Sequence, residues 1–211
     1  MTELSQELKK SLKELRKNSK ERKFNQTVDL IINLQKFDLK KDSINTIVSV
    51  PHKIKDKKIA GFIDGSSSKI NTIPPSEFGK YKDKKSLKKL VRKYDFFISQ
   101  ANLMPKVATT FGRALGPLGK MPSPQLGIIP NADDKIIENL IKKINTSIKI
   151  KTKEASIKVP VGKQDMKDEE IVENAMAIYN SLVKEFSRGK DNIKNIEIKF
   201  TMTKPQKIKL K

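Results

Sequence analysis

The chain has 211 residues, a formal net charge of +21, no cysteine and one histidine. The lack of cysteine excludes disulfides and thiolate zinc sites, and the charge favours a polyanionic partner, either nucleic acid or an anionic membrane. No apolar run reaches the roughly 18 residues of a membrane-spanning helix, and charged residues occupy the place of a signal-peptide core, so we expect a cytoplasmic protein.

The first predicted element is an amphipathic helix, because leucines recur at helical spacing among charged residues. We expect its leucine stripe to pack on a core; RNA contact by its basic face is the alternative. Residues 24–34 then alternate between apolar and polar, which predicts a strand with one buried and one wet face. A second strand is predicted at 44–50, before Pro51. The leucines of the stripe are Leu4, Leu8, Leu12 and Leu15.

The middle of the chain reads as strand, helix, strand, helix. Apolar runs predict buried strands at 59–63 and 94–99, each followed by a helix, at 84–93 and 106–115. A further helix runs to about residue 144, with Asn131-Ala132-Asp133-Asp134 as its predicted cap. This order predicts an open α/β sheet with crossover connections.

From Ser156 the alternating pattern returns. Ile157, Val159 and Val161 predict a half-buried strand, residues 168–187 predict an amphipathic helix, and Gly189 is its predicted C-cap. The last predicted strand has Ile196, Ile198, Phe200 and Met202 on one face and Thr201 and Thr203 on the other. The fold class is therefore an α+β first domain, split between residues 1–58 and 154–211 with an open-faced sheet, and an inserted Rossmann-like α/β second domain at 59–153.

An enzymatic role is disfavoured by the inventory of side chains. His52 follows a strand and a proline, where a turn role is expected, and Asp133-Asp134 stands where acids stabilise a helix N-terminus. Neither nucleotide-binding fingerprint, GxGxxG or GxxxxGK[ST], is present, although Gly65-Ser66-Ser67-Ser68 follows a strand as a phosphate loop would. A nucleotide-dependent enzyme acting through the middle domain stays an alternative, as does a generic basic chaperone or DNA-binding protein.

The polar face of the terminal sheet offers a better site. Hydroxyls and lysines on a flat face suit ribose 2′-hydroxyls and phosphates of structured RNA, whereas a merely solvated face is the alternative. The excess of positive charge does not indicate which part of the chain binds RNA, since the middle segment and the terminal segments carry a similar excess. The residues of this face are Thr27, Asp29, Lys158, Lys199, Thr201 and Thr203.

A Gly/Pro-rich loop carries the most specific pattern. The loop reads Gly112-Arg113-Ala114-Leu115-Gly116-Pro117-Leu118-Gly119-Lys120-Met121-Pro122-Ser123-Pro124. It closely resembles the archaeal-type signature of the ribosomal protein L-one family (large-subunit ribosomal protein one, the stalk protein). We expect the loop to be a structural clamp within the middle domain. The resemblance extends to residues 23–28, 48–52, 94–98, 103–105, 159–163 and 201–202, nearly the whole chain.

The resemblance implies a non-enzymatic constituent of the large ribosomal subunit whose first domain binds stalk rRNA near the tRNA exit site. It also implies help in releasing deacylated tRNA and repression of the protein's own mRNA, with no cofactor, metal or membrane partner. Phe24 is expected to pack at the strand edge and to contact RNA partly through its backbone. The RNA contacts implied are Lys23, Phe24, Gln26, Thr27, Lys158, Gly162, Lys163, Thr201, Met202 and Thr203.

The chain departs from the family pattern at three places. Thr203 replaces a glycine that would permit close approach or an unusual backbone angle. Lys53 replaces the glycine after Pro51-His52, and Asn45-Thr46 replaces an Arg/Gly pair.

Overall fold

The computed structural model describes residues 3–39, 42–65, 67–81, 83–131 and 133–208. Residues outside these ranges occur in the predictions for the N-terminus (Met1, Thr2), the serine loop (Ser66) and the helix cap (Ala132), and within both predicted domains. The chain divides into two compact units, which we call unit 1 (Met1–Ile54 with Thr146–Lys211) and unit 2 (Lys55–Asn145).

The described helices and strands are, in chain order, α1 (Glu3–Asn18), β1 (Thr27–Leu34), β2 (Asn45–Ser49), β3 (Ile59–Phe62), β4 (Asn71–Thr72), α2 (Lys84–Lys93), β5 (Phe96–Gln100), α3 (Met104–Leu115), β6 (Ile128–Ile129), α4 (Asp134–Asn145), β7 (Ser147–Lys151), β8 (Ser156–Lys163), α5 (Asp168–Glu185), β9 (Ile193–Phe200) and β10 (Gln206–Ile208). The mixed α/β content and a parallel sheet, both predicted, are confirmed.

Unit 1 is built on a four-stranded antiparallel sheet in the order β10-β9-β1-β8. In β1, buried and half-buried residues alternate strictly, so one face enters the core and the other stays wet. The leucine stripe of α1 and the apolar face of α5 pack on the buried face of the sheet. The predicted amphipathic helix at the N-terminus is therefore a core helix, with Leu8, Leu12 and Leu15 buried.

The carboxyl end of α5 differs from the prediction. The helix ends at Glu185, and Phe186 is its extended C-cap, whereas Gly189, with φ of +55°, begins a separate short 3-10 turn. Phe186 is buried and packs edge-on against Phe37, with ring centroids 6.2 Å apart. This packing accompanies the departure from helical geometry three residues before the predicted glycine cap.

Strand β7, which was not predicted, changes the predicted boundary at residue 153. It pairs with β2 from Asn45 opposite Lys151 to Ser49 opposite Ser147. Ile150 joins the core of unit 1, and Thr152 Oγ1 accepts a 2.8 Å hydrogen bond from the N–H of Ile44. Residues 146–153 therefore belong with the terminal segments, because β7 forms its backbone hydrogen bonds with β2 of unit 1.

Unit 2 contains an all-parallel sheet in the order β4-β3-β5-β6. Its buried cluster centres on Phe62, whose ring lies 4.7 Å from that of Phe111 and 5.6 Å from that of Phe97. Leu90 and Val91 of α2 belong to the same cluster. Helices α2 and α3 thus share one core face, which crossover connections between parallel strands place beside the sheet.

Candidate nucleic-acid interface

Three chain segments meet at one end of the unit 1 sheet. Because β1 is antiparallel to both neighbours, its first residues lie beside the last residues of β8 and β9. Thr27 is opposite Lys163, and Val28 is opposite Phe200. We call residues 23–27, 162–168 and 200–206 the turn cluster. It brings together nine of the ten predicted RNA-contact residues, all except Lys158.

Thr201 is fixed by the backbone of Thr27. Its hydroxyl accepts a 3.1 Å hydrogen bond from the Thr27 N–H, and its N–H and hydroxyl donate to the Thr27 carbonyl at 3.1 and 3.3 Å. The prediction that the last strand continues to residue 203 is wrong: β9 ends at Phe200, and a turn leads into β10. The Thr201 hydroxyl is consequently committed to joining β1 to this turn.

Thr203 closes the same turn. Its hydroxyl oxygen accepts a 2.9 Å hydrogen bond from the Phe200 N–H, and its own N–H donates to the Phe200 carbonyl at 3.1 Å. A glycine has no hydroxyl for the first of these bonds. The departure from the family pattern at this position therefore has a structural account: the threonine supplies an intra-turn acceptor.

Gln26 is a positioning residue. Its side chain is 1% exposed, its Oε1 accepts from the Met202 N–H at 3.1 Å, and its carbonyl accepts from the Gln164 N–H at 2.9 Å. Protein groups already occupy this side chain, and the predicted RNA contact at Gln26 stays a prediction. The signal available in the sequence was a polar residue in phase with the apolar positions of β1, which needs buried partners.

Arg16, which was not predicted to matter, holds the 164–168 turn against α1. Its Nε lies 2.7 Å from Asp168 Oδ1, and its two terminal nitrogens donate to the carbonyls of Gln164 (2.6 Å) and Met166 (2.8 Å). The guanidinium also lies 6.0 Å from the centroid of the Phe200 ring. Its sequence signal was a charged residue four positions after Leu12 on the buried stripe.

Gly162 is buried, and close packing explains its identity. A Cβ there would lie 2.9 Å from Ile171 Cγ1 and 3.3 Å from Met166 Sδ. The residue lets β8 approach α5, and it carries no side chain for the predicted RNA contact. Its neighbour Lys163 is half-buried at the strand end.

Two large apolar side chains are exposed in the turn cluster. Phe24 is 51% and Met202 is 57% exposed. The packing of Phe24 at the strand edge, as predicted, is wrong because β1 begins at Thr27 and residues 23–25 lie outside the ladder; its predicted RNA contact stays a prediction. Both side chains are free to meet a partner, and Lys23 beside them is also exposed.

Met202 also lines a pocket of about 510 Å³ between the end of α1 and the turn before β10. Its lining includes three basic residues and no carboxylate, so its potential favours an anion. The carboxylates Glu21 and Asp165 occur in the neighbouring exposed segments. The polar and basic lining residues are Asn18, Ser19, Lys20, Arg22, Gln26, Thr203, Lys204 and Gln206.

The open sheet face is less suitable for RNA than the sequence predicted. Lys158 is opposite Ile31 and 3.5 Å from Glu154, and it stands about 16 Å along the strand from Lys163, at roughly 3.3 Å per residue. Partial burial raises the pKa of Asp29, and the nearby Lys199 opposes this rise. The face therefore mixes both signs of charge.

The signature loop stabilises unit 2. Lys120 is half-buried, and its Nζ donates to the carbonyls of Val91 (2.8 Å) and Tyr94 (2.7 Å) at the carboxyl end of α2. Its N–H donates to Leu115 at the end of α3, and Gly119 takes the φ of +67° that this tight connection requires. The loop thus connects two helix ends, the clamp expected for it. The remaining signature residues are Gly112, Arg113, Gly116, Pro117, Met121 and Pro122.

The features that suggested an enzyme have structural partners. Ser67 donates to Asp134 at 2.6 Å, which places a carboxylate where a phosphate loop would hold an anion. His52 Nε2 lies 2.6 Å from Glu173, and its backbone bonds to the buried Asn174. Among the described residues, no three His, Cys, Asp or Glu side chains form a group suited to a metal. Across the same ranges, every helix is too short or too polar to cross a membrane.

Comparison with known proteins agrees with the signature. Residues 13–204 match the Ribosomal protein L1p/L10e family. The chain is 35% identical over 196 residues to the large ribosomal subunit protein uL1 of Nanoarchaeum equitans, with 88% of this chain and 92% of the relative covered. It is 37% identical over 207 residues to the uL1 of Archaeoglobus fulgidus (92% and 94% covered) and 34% identical over 208 residues to that of Thermococcus kodakarensis (93% and 94%).

Proposed function

Because the chain belongs to the Ribosomal protein L1p/L10e family, we propose that it is a structural constituent of the large ribosomal subunit that binds stalk rRNA through the turn cluster. Its family consists of ribosomal proteins, so the chain is not an enzyme. We further propose that unit 1 is the RNA-binding domain, that unit 2 is the inserted domain, and that the protein works in the cytoplasm as part of the ribosome.

One observation carries the RNA site: exposed Phe24 and Met202 belong to segments that meet at one end of the sheet, and the pocket lined by Met202 is also lined by Lys20, Arg22 and Lys204. An aromatic ring can stack on an unpaired base or ribose, and lysines pair with phosphates as point charges. Backbone groups at the strand ends can reach 2′-hydroxyls. This chemistry suits an irregular, structured RNA better than a uniform duplex, whose bases are stacked inside.

The test is the variant Phe24→Ala/Met202→Ala, titrated in a filter-binding assay against a stalk-region rRNA fragment. Loss of stacking on Phe24 alone should remove about 1–3 kcal/mol, so we expect Kd to rise by roughly tenfold or more. Since both side chains are largely exposed, circular dichroism and Tm should stay native. The matched control is Leu39→Ala, another exposed apolar residue of unit 1; an equal loss in this control, or no loss in the double variant, would refute the surface.

Repression of the protein's own mRNA is proposed for the same surface, supported by the family resemblance. A leader that mimics the rRNA site would use the same contacts, so the double variant should lose affinity for both RNAs by a similar factor. A translational reporter behind that leader should be repressed by the natural chain and released by the double variant. Repression that survives in the double variant would show that the leader binds elsewhere.

Help in releasing deacylated tRNA is the remaining part of the proposal, again supported by the family resemblance. Ribosomes reconstituted without the chain should release deacylated tRNA from the exit site more slowly, and adding the chain should restore the rate. Identical release rates with and without the chain would remove this part and leave rRNA binding untouched.

A further inference from the structure

Helix α2 of unit 2 has a charge distribution that its own fold does not explain. Its ten residues include six basic side chains and no carboxylate. All six are exposed, whereas Leu90 and Val91 on the opposite side are buried in the core of unit 2. The six are Lys84, Lys85, Lys88, Lys89, Arg92 and Lys93. We call them the α2 basic face.

The spacing places these charges in two adjacent rows along the helix. Residues four apart lie on the same face, about 6 Å apart along the axis. Lys84, Lys88 and Arg92 form one row, and the other three form the second. In the part of the chain that the structure describes, none of the six has an ion-pair partner; the nearest recorded contact is Lys93 Nζ, 5.3 Å from the centroid of the Tyr94 ring. The acids nearest in sequence are the N-cap Asp83 and Asp95, and Asp95 pairs with Lys55 at 3.1 Å.

This arrangement is unfavourable for an isolated helix. Like charges at i and i+4 repel, and Lys84 and Lys85 stand at the end of the helix where the dipole favours acids. The other helices differ: α1 and α4 contain both signs, α5 begins with Asp168-Glu169-Glu170, and α3 carries only two basic residues, Lys106 and Arg113, in its 12 residues. A general excess of lysine in the chain therefore does not account for α2, and an external anion would relieve the repulsion.

The chemistry of the face selects the kind of anion. Protein interfaces concentrate aromatic residues, Met and Arg and are depleted in Lys, yet this face is five lysines and one arginine without an exposed large apolar residue. An interfacial membrane helix needs a free apolar face, and here that face is buried in the core. Point charges in parallel rows without apolar contact fit the phosphate backbone of a nucleic acid.

We infer that the α2 basic face is a second, sequence-independent RNA contact, which binds the phosphates of duplex RNA. The inference rests on the proposed function in that it takes RNA, and not DNA, as the partner. It adds a surface in unit 2 that binds phosphates through charge, whereas the turn cluster in unit 1 recognises the shape of a structured RNA. Such a contact should contribute affinity that depends strongly on salt and little on sequence.

The experiment compares the natural chain with Lys84→Gln/Lys88→Gln/Arg92→Gln on α2 and with Lys135→Gln/Lys142→Gln/Lys143→Gln on α4. Both triple variants lose three positive charges from the same unit. Affinity is measured across a salt series for two probes, a stalk-region rRNA fragment with its flanking duplex and an unrelated RNA duplex. Circular dichroism confirms that each variant is folded.

We expect the α2 variant to bind both probes more weakly at low salt and to lower the slope of log K against log salt by about 2–3, at roughly 0.7–0.9 per phosphate contact. Its preference for the stalk fragment over the duplex should not change. The α4 variant should leave the slope near that of the natural chain. Equal slope changes in the two variants, or none in either, would overturn the inference. So would displacement of the protein from duplex RNA by polyglutamate at an equal concentration of charge.

The two proposals fail in different ways. If the turn-cluster proposal is wrong, the natural chain should show no preference for the stalk fragment over the duplex. If the α2 inference is wrong, that preference should remain, and the α2 and α4 variants should show the same salt slope. The Phe24→Ala/Met202→Ala variant should show the opposite pattern to the α2 variant, with reduced preference and a retained slope.

Discussion

At the scale of single residues, the turn cluster separates side chains that can touch RNA from side chains that hold others in place. Phe24 and Met202 are exposed and have room for a partner. Gln26, Arg16 and Thr201 are committed to hydrogen bonds that set the backbone of the neighbouring turns. Loss of a residue in the second group should therefore change stability first and RNA affinity as a consequence.

Replacing Gln26 with Leu tests this division. The Met202 N–H would lose a part-buried acceptor, and loss of one net hydrogen bond costs about 0.5–1.5 kcal/mol. We expect the midpoint of urea unfolding to fall with an unchanged m-value, together with weaker RNA binding. Weaker RNA binding without a fall in this midpoint would contradict the positioning role.

Asp29 gives a pH-dependent prediction on the open sheet face. Burial raises its pKa above the value of 3.8 typical of the unfolded chain, so the folded state holds the proton more tightly. The free energy of unfolding consequently falls as pH rises through the interval between the two pKa values, and the penalty persists at neutral pH. Asp29→Asn should raise Tm at pH 7.

The stabilisation by Asp29→Asn should shrink as pH falls toward 3.8, where the natural carboxyl becomes neutral. Thermal melts of the variant and the natural chain between pH 7 and pH 4 measure this difference. Glu21→Gln, at an exposed position before β1, serves as the control for removal of a negative charge. A Tm difference for Asp29→Asn that stays constant with pH would show that desolvation is not its cause.

At the scale of elements, the Gly/Pro-rich loop stabilises unit 2 by joining the ends of α2 and α3. The Lys120 ammonium contacts two carbonyls at the carboxyl end of α2, where the helix dipole favours a cation. The loop's tip residue Leu118 is 63% exposed and takes no part in this contact. The signature thus has a structural core and an exposed tip.

Lys120→Met should destabilise unit 2 by about 1–3 kcal/mol, because two carbonyls lose a charged donor and the aliphatic stem is retained. Amide hydrogen exchange should speed up at the end of α2 and in residues 116–121, and not in unit 1. Leu118→Ala, in the same loop, should leave exchange unchanged. Protection that survives in Lys120→Met would show that the prolines and glycines alone hold the loop.

At the scale of the whole molecule, a net charge of +21 opposes folding through self-repulsion. Few opposite charges offset it: the ion pairs of the described residues are mostly exposed, and exposed pairs contribute little. The free protein should therefore be less stable than the same chain bound to a polyanion. We therefore expect binding of a polyanion such as RNA to stabilise the fold.

Raising NaCl from about 0.01 M to 0.15 M shortens the Debye length from roughly 30 Å to 8 Å, so Tm of the free protein should increase. Stalk rRNA at low salt should raise Tm further by mass action. Thermal melts in NaCl and in sucrose, which adds no ions, separate screening from general solute effects. A Tm that is flat or falls with NaCl would mean that repulsion is not a significant term.

The predictions from sequence that held concern short-range patterns. The leucine stripe, the alternation in β1 and β8, the helices at α2 and α5 and the parallel sheet of the middle segment all follow from periodicity, which depends on neighbours within one or two turns. The long Gly/Pro signature also identified the family before the fold was known. The structure gives Gly162 a packing role and Thr201 a hydrogen-bonding role, and the RNA contacts predicted for both stay predictions.

The tertiary structure decided everything that depends on which segments become neighbours. Gln26 is buried because the turns of 164 and 202 cover it, and Phe24 is exposed because the β1 ladder starts three residues later. Strand β7 joined unit 1 because β2 supplied its partner. Hydrogen-bond pairing between residues distant in sequence leaves no periodic trace within either segment. The sequence therefore determined the elements and the family, while only the packed chain determined which side chains of the turn cluster are exposed.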